Sequence, residues 1–444
     1  MFSSKIRNYA KISRFLIGGS VLGFALVFPA SPVNGQSTDS LRVDEVIRDV
    51  IRQNNRVAAA RYMETAALAK VGPAGAWDDP MLMIGVTNLP TSFDFGMDPM
   101  TMKMVGLSQN IPYAGQKGFQ AKTARAEAEA ATQDRYAMEV DLVMAARFAF
   151  ADLYYRSRSL SDLASQYELM DQVVASARAK LMTNQANYDE VLWAEAELGR
   201  LQTQLLEAEH MVDEALYNLN ILRGFDVTTS TPPLADPTPV ALPLTPDDWL
   251  AAARQYYPPL QKLIHQAEGF SYAGAAARRM SWPMLGLSAI YAFRSATEME
   301  KRDDMVSLQA NISLPFFAGR QQKKMAISME AMRKGIDYEA IEKWREVEAR
   351  LRILHSTAWH LVQSIDLYLN RIIPAALDAY QSALAGYSAN KVPYTNLLMF
   401  AVGVYRDRLA LNQFGNRLAR TMAEIDSYTI DPKSFVVDST KYNP

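Results

Sequence analysis

Residues 306–320 read VSLQANISLPFFAGR, and the alternation within them decides the fold. Val306, Leu308, Ala310, Ile312 and Leu314 fall on one side of an extended chain, and Ser307, Gln309, Asn311 and Ser313 on the other. A period of two with one apolar and one polar side marks a strand covered on one face only. Val105, Leu107, Gln109 and Ile111 carry a blurred version of the same pattern. Each run follows an apolar partner, at 81–89 and 284–293, so hairpins are expected over 81–111 and 284–314 with loops at 90–101 and 294–303. Strands of about ten residues match the roughly 9–11 that a tilted membrane strand requires.

Outward from these hairpins the chain repeats itself. Pro80-Met81-Leu82 returns as Pro283-Met284-Leu285, Pro112 and Gly115 return as Pro315 and Gly319, and Asn184, Tyr188 and Arg200 return as Asn390, Tyr394 and Arg406. Landmarks in one order at nearly constant offset indicate two tandem copies of one supersecondary unit. The copies are placed at 36–225 and 247–430, with a 226–246 linker holding Pro232, Pro233, Pro237, Pro239, Pro243 and Pro246, and a polar tail at 431–444. Proline at that density favours an extended connector.

Each copy reads as helix, hairpin, long helix and second helix. The first helix, 43–70, is expected to stop before Gly72 and Pro73. From 119 to 198 there is neither glycine nor proline, and about 65 helical residues would reach on the order of 100 Å. The matching stretch from 321 to 390 contains Gly335 and Pro374, where bends or breaks are expected. The second helices, 190–222 and 395–428, would pack back as coiled-coil hairpins.

The chain has 444 residues, 49% hydrophobic and 21% charged, with a net charge of -2. That balance gives a folded protein with no general attraction to nucleic acid. Cysteine is absent, which excludes disulfides, thiolate metal sites and a lipid anchor on cysteine. Residues 1–35 order a basic head (Lys5, Arg7, Lys11, Arg14), an apolar run from Phe15 to Phe28 and a small-residue exit, the layout of a secretory signal peptide. Four strands cannot close a barrel, whose smallest transmembrane form uses eight, so several chains must share one. The fold class expected is mainly α with membrane β.

The stretches ISLPFFAGR (312–320) and QNIPYAGQK (109–117), with Ile373-Pro374-Ala375 and Tyr188-Asp189-Glu190-Val191-Leu192, resemble the outer membrane factors, the TolC-like efflux channels. The resemblance runs in order through nearly all of the mature chain and leans toward the heavy-metal efflux branch. It implies a homotrimer in the cell outer membrane, with a shared twelve-stranded β-barrel and a long α-helical barrel in the periplasm. It also implies a periplasmic adaptor and an inner-membrane pump as partners, contact with outer-membrane lipid, no cofactor and no covalent chemistry. A type I protein-secretion exit duct would share this fold. The rival from another class is a soluble periplasmic coiled-coil adaptor or scaffold, which leaves the two alternating hairpins unexplained.

By the same resemblance the pore narrows where the helical hairpins turn. At the first tip Asp189 and Glu190 are the acidic gate residues; at the second, Asn396 and Met399 stand where acids are often found, so a carboxylate ring is weaker or comes from the first copy alone. A ring of carboxylates would favour cations. The plainer reading makes Asp189 and Glu190 helix-start charges. Pro112, Gly115, Pro315 and Gly319 form the strand-to-helix junctions, where glycine allows a sharp passage. Of 22 methionines, Met81, Met83, Met97, Met100, Met102 and Met104 crowd the first hairpin. Thioethers suit Cu(I), with Met97, Met100, Met102 and Met104 the weak candidates, but lipid-facing or gap-filling methionine is the preferred reading. His355 and His360, five apart, do not share a helix face and make no metal pair. No phosphate loop, triad spacing or nucleotide fingerprint is present, so no enzyme is expected.

Overall fold

The computed structural model describes residues 40–112, 115–237, 242–294 and 302–435. The signal segment at 1–35, Tyr113 and Ala114 of the first junction, Pro239 of the linker and the end of the tail lie outside the described residues. In chain order the elements are α1 (Val43–Gln53), α2 (Asn55–Ala69), α3 (Val71–Gly75), β1 (Met81–Thr87), β2 (Met102–Ile111), α4 (Gln116–Met182) and α5 (Tyr188–Arg223). They continue with α6 (Asp247–Tyr256), α7 (Pro258–Arg279), β3 (Leu285–Arg294), β4 (Met305–Ile312), α8 (Gln322–Leu367), a π-helical turn (Tyr368–Ile372), α9 (Ile373–Ser388), α10 (Tyr394–Thr429) and a 3-10 turn (Pro432–Phe435). The chain divides into two compact units. One gathers the residues up to Val57, Met138–Tyr257 and those from Val347; the other comprises Ala58–Ala137 and Pro258–Glu346.

The first unit is helical. Along this part of α4 the buried positions Leu160, Leu163, Gln166, Met170, Val173, Ala177 and Lys180 alternate by three and four residues, with Val174 buried beside them, the seam of a coiled coil. They pack with Ala194, Leu201 and Leu205 of α5, Tyr380, Ala383 and Tyr387 of α9, and Tyr394, Leu397, Ala401 and Val404 of α10. Both halves of the sequence therefore build one core. A second core joins Val46, Val50 and Ile51 of α1 to Leu142, Ala146 and Phe150 of α4 and Leu219 of α5. The proline-rich segment is docked: Leu41 N–H donates to the Pro233 carbonyl at 2.8 Å, Ala235 N–H donates to Leu41 at 3.0 Å, and the Tyr154 hydroxyl reaches Asp236 at 2.7 Å. The tail is docked at its start, with Pro432 buried and Phe435 against the second core.

Three helical expectations are corrected here. The first helix is not continuous over 43–70: Asn54 is extended, its Oδ1 accepting from Arg56 N–H and its Nδ2 donating to the Leu222 carbonyl. Nor does it end cleanly before Gly72, since Gly72 and Pro73 sit in the short helix α3. Gly335 interrupts nothing, lying inside α8, and Pro374 is preceded by the π turn rather than a break. Proline has no N–H for the Asn370 carbonyl, and the wider turn accommodates the loss.

In the second unit small residues bring helices together. Ala124, Ala126, Ala128 and Ala130 of α4 are buried, and a Cβ on Gly269 of α7 would stand 3.5 Å from that of Ala126. Arg135 pairs with Glu64 at 2.6 Å and Lys262 with Asp134 at 2.8 Å. The same unit carries the sheet, antiparallel throughout in the order β1-β2-β3-β4. Among the described residues β1 and β4 have a neighbour on one side only. β2 runs Met102–Ile111 as expected, while other strand ends shift by a residue or two: β1 stops at Thr87, β3 spans Leu285–Arg294 and β4 stops at Ile312.

Candidate functional site

Two regions have the geometry for function, the sheet and the turns of the helical hairpins. In the sheet the register aligns Leu82, Leu107, Ala289 and Leu308 in one row across four strands, and Ile84, Val105, Tyr291 and Val306 in the next. The pleat keeps alternate residues on one face, so this face continues through Val86, Leu287, Phe293 and Ile312 and is apolar almost throughout. It is also uncovered within the chain: Leu308 is 80% exposed and Ile84 77%. The opposite face carries Ser108, Asn110, Ser288, Gln309 and Asn311 toward one end and methionines toward the other. At the loop end, Tyr291 donates to Asp304 at 2.7 Å and Arg294 to the Pro99 carbonyl at 2.9 Å, tying the two hairpins together.

At the junctions, Pro112 and Pro315 follow β2 and β4, removing the N–H that would extend each ladder. Gly115 has φ of +89°, a conformation glycine reaches without cost. Gly319 departs from that expectation: it is not left-handed, and nothing lies within 4 Å of a Cβ placed on it.

The turns of the helical hairpins share one backbone solution. Asn184 (φ +57°) and Asn390 (φ +58°) are both left-handed, and the following N–H donates five residues back, Gln185 to Lys180 at 2.9 Å and Lys391 to Gly386 at 2.8 Å. This is the helix ending in which asparagine substitutes for glycine. The two turns meet through side chains. Lys180 of α4, buried in the seam, donates to the Tyr387 carbonyl and to Asn390 Oδ1 at 2.6 Å, with its ammonium 3.8 Å from the centre of the Tyr387 ring. An ammonium over the last carbonyls of α9 satisfies acceptors that a helix end leaves open. Asn390 Nδ2 reaches Gln185 Oε1 at 3.4 Å, and the Tyr387 hydroxyl donates to Glu190 at 3.4 Å. Burial, then the Glu190 charge, pushes the Tyr387 hydroxyl up to about 12. Tyr394 is likewise pushed up to about 12, first by burial and then by its neighbours Tyr387, Glu197 and Glu190.

Asp189 and Glu190 occupy the first turn of α5, Asp189 exposed and Glu190 half-buried against Tyr387. Asn396 is exposed near the start of α10, and Met399, one turn on, is 59% exposed. Lys180 and Gln185 escaped the sequence reading, although a lysine on a three-four apolar period is a visible signal. Met97 and Met100 lie in the loop between β1 and β2, and Met102 and Met104 in β2. His355 contacts the Pro243 carbonyl at 2.9 Å and packs beside Trp249. Among the described residues no group of three or more His, Cys, Asp or Glu could hold a metal ion, and no helix is long and apolar enough to cross a membrane.

No protein-family model and no curated protein matches the sequence. Solved structures do match in fold. The outer membrane protein VceC from Vibrio cholerae aligns with a TM-score of 0.72 at 13% identity, covering 87% of this chain and 95% of that one. The Campylobacter jejuni CmeC outer membrane channel aligns at 0.71 and 14%, covering 90% and 88%. The transmembrane channel CusC aligns at 0.72 and 15%, covering 87% and 91%. The chain has the fold of outer-membrane channel subunits. CusC stands no nearer than the others, so the heavy-metal branch is not singled out.

Proposed function

We propose that the chain is the outer-membrane channel subunit of a tripartite efflux system, exporting small molecules or metal cations across the periplasm and outer membrane. The observation that carries this is the four-stranded sheet, with one exposed apolar face and two unpaired edges. In hydrocarbon an unpaired edge costs several kcal/mol per group, so membrane strands occur in closed barrels. Three chains closing twelve strands place the apolar face against lipid, the polar face around the pore and the helical hairpins in the periplasm. Adaptor and pump then dock on the helical part, as the sequence resemblance implies, and Asp189 and Glu190, with Asn396 and Met399, line the gate. A conduit of this kind performs no covalent chemistry. The mature protein is expected in outer-membrane fractions, extracted only by detergent, as a trimer that conducts ions in planar bilayers. Release by salt or osmotic shock alone would overturn the proposal in favour of a soluble scaffold.

A further inference from the structure

We infer that the polar face of the sheet is a thioether track for a soft monovalent cation of the Cu(I) and Ag(I) class. The inference rests on that face lining the pore. Register and pleat put Met81 and Met83 of β1, Met102 and Met104 of β2 and Met305 of β4 on one face, and Met284, one residue before β3, keeps the same parity. The other face of the four strands is built from leucine, isoleucine, valine, alanine, tyrosine and phenylalanine, with Lys103 and Gln109 the exceptions, and contains no methionine. Methionine used as apolar filler would be interchangeable with leucine and would fall on that face too. Its confinement to one face therefore calls for a different use, and the reading of the first-hairpin methionines alone misses it because Met305, from the second hairpin, joins the set only through the register.

The surroundings select the ion. Serine, threonine, asparagine, glutamine and glycine, with the apolar Ile290 and Ala292, are the neighbours on this face; it holds no carboxylate, and Arg294 at the loop end is its one charge among the described residues. Hard divalent cations need carboxylate and carbonyl oxygen, whereas neutral thioethers suit Cu(I). Two glycines let the thioethers lie close to the sheet: the Met104 methyl is 4.0 Å from a Cβ placed on Gly85, and over Gly106 the Ile290 side chain (2.9 Å) and the Met83 methyl (3.3 Å) fill the space a Cβ would take. Met83 is 39% exposed and Met305 46%, so both sulfurs' side chains are open to an ion on this face. Same-face residues repeat every two strand positions, roughly 6.6–6.8 Å, and Met102, Met104, Met83 and Met81 fall in successive rows. Weak binding at several closely spaced sites is what conduction requires. Met97 and Met100 of the loop extend the series toward the mouth.

The test uses the full mature protein in detergent, with Ag(I) as the redox-inert probe. Equilibrium dialysis against silver nitrate should show the wild type binding Ag(I) in preference to Zn(II). The variant combining Met83→Leu, Met104→Leu and Met305→Leu, which conserves volume, should bind fewer ions per chain or bind them roughly tenfold more weakly. X-ray absorption of the silver-loaded wild type should give a sulfur shell. Equal silver binding by the wild type and a variant that still runs as a trimer, or an oxygen and nitrogen shell, would overturn the track. Wild-type potassium conductance in bilayers is read separately: its absence overturns the channel, while the dialysis result decides the track.

Discussion

Lys180 occupies a seam position that a coiled coil ordinarily fills with an apolar residue, and its stability there depends on acceptors from the other half of the chain. A buried polar seam residue fixes register at a cost in stability, and Gln166, which donates to the Ala401 carbonyl at 3.0 Å, does the same farther along α4. Lys180→Met should leave the Tyr387 carbonyl and Asn390 without their donor, costing about 1–3 kcal/mol and speeding amide exchange from Tyr387 through Val392. Unchanged exchange there would remove the lysine from the latch. Gly415 of α10 answers to a different constraint, since a Cβ on it would stand 2.4 Å from the Tyr155 ring. Gly415→Ala should lower stability by about 1–3 kcal/mol through overpacking, measured by thermal denaturation. The tyrosines set an alkaline limit. Below pH 10.0 Tyr387 and Tyr394 are neutral whether folded or not; between there and about 12 the unfolded chain loses protons that the folded chain keeps. Stability therefore falls across that window and levels off above it. The double variant Tyr387→Phe and Tyr394→Phe should show a shallower fall, and an identical pH profile would assign it to other groups.

At the scale of elements, the two faces of β4 predict opposite outcomes for neighbouring substitutions. Leu308→Arg puts a charge on the apolar face and should cost about 2–4 kcal/mol if it lies near the membrane midplane, reducing assembled trimer. Gln309→Arg, one residue on and on the other face, should assemble normally and change conductance instead. Equal trimer yields for the two would reverse the assignment of faces. Strands were legible because a period of two is local: β4 announces itself from residues 306 to 314. The helix breaks were less so. Asn54 ends α1 by hydrogen bonds whose far partner, Leu222, lies 168 positions away, and no window around Asn54 contains that information. Gly335 failed as a breaker because a helix tolerates glycine at about 1 kcal/mol when packing elsewhere holds it.

For the molecule as a whole, the mainly helical fold with four strands per chain was legible from repetition and composition. The convergence of both hairpin turns on Lys180 was not, because it depends on pairing between halves some 206 positions apart. The turns also divide their labour: the first supplies the ammonium and the acids, the second the carbonyls and Tyr387. If Asp189 and Glu190 line the gate as proposed, replacing them with alanine should reduce cation preference in bilayers, since charge at a constriction sets selectivity; identical reversal potentials would remove them from the pore lining.

The open edges of the sheet carry a genetic consequence. If three chains close one barrel as proposed, a chain whose β4 edge cannot pair still offers a sound β1 and would enter a ring with two normal chains, leaving the barrel unclosed. In a cell making equal amounts of sound and defective chain, roughly one trimer in eight escapes a defective copy. Edge-strand mutations should accordingly be dominant over the wild type, while loss of expression from one of two copies should pass almost unnoticed.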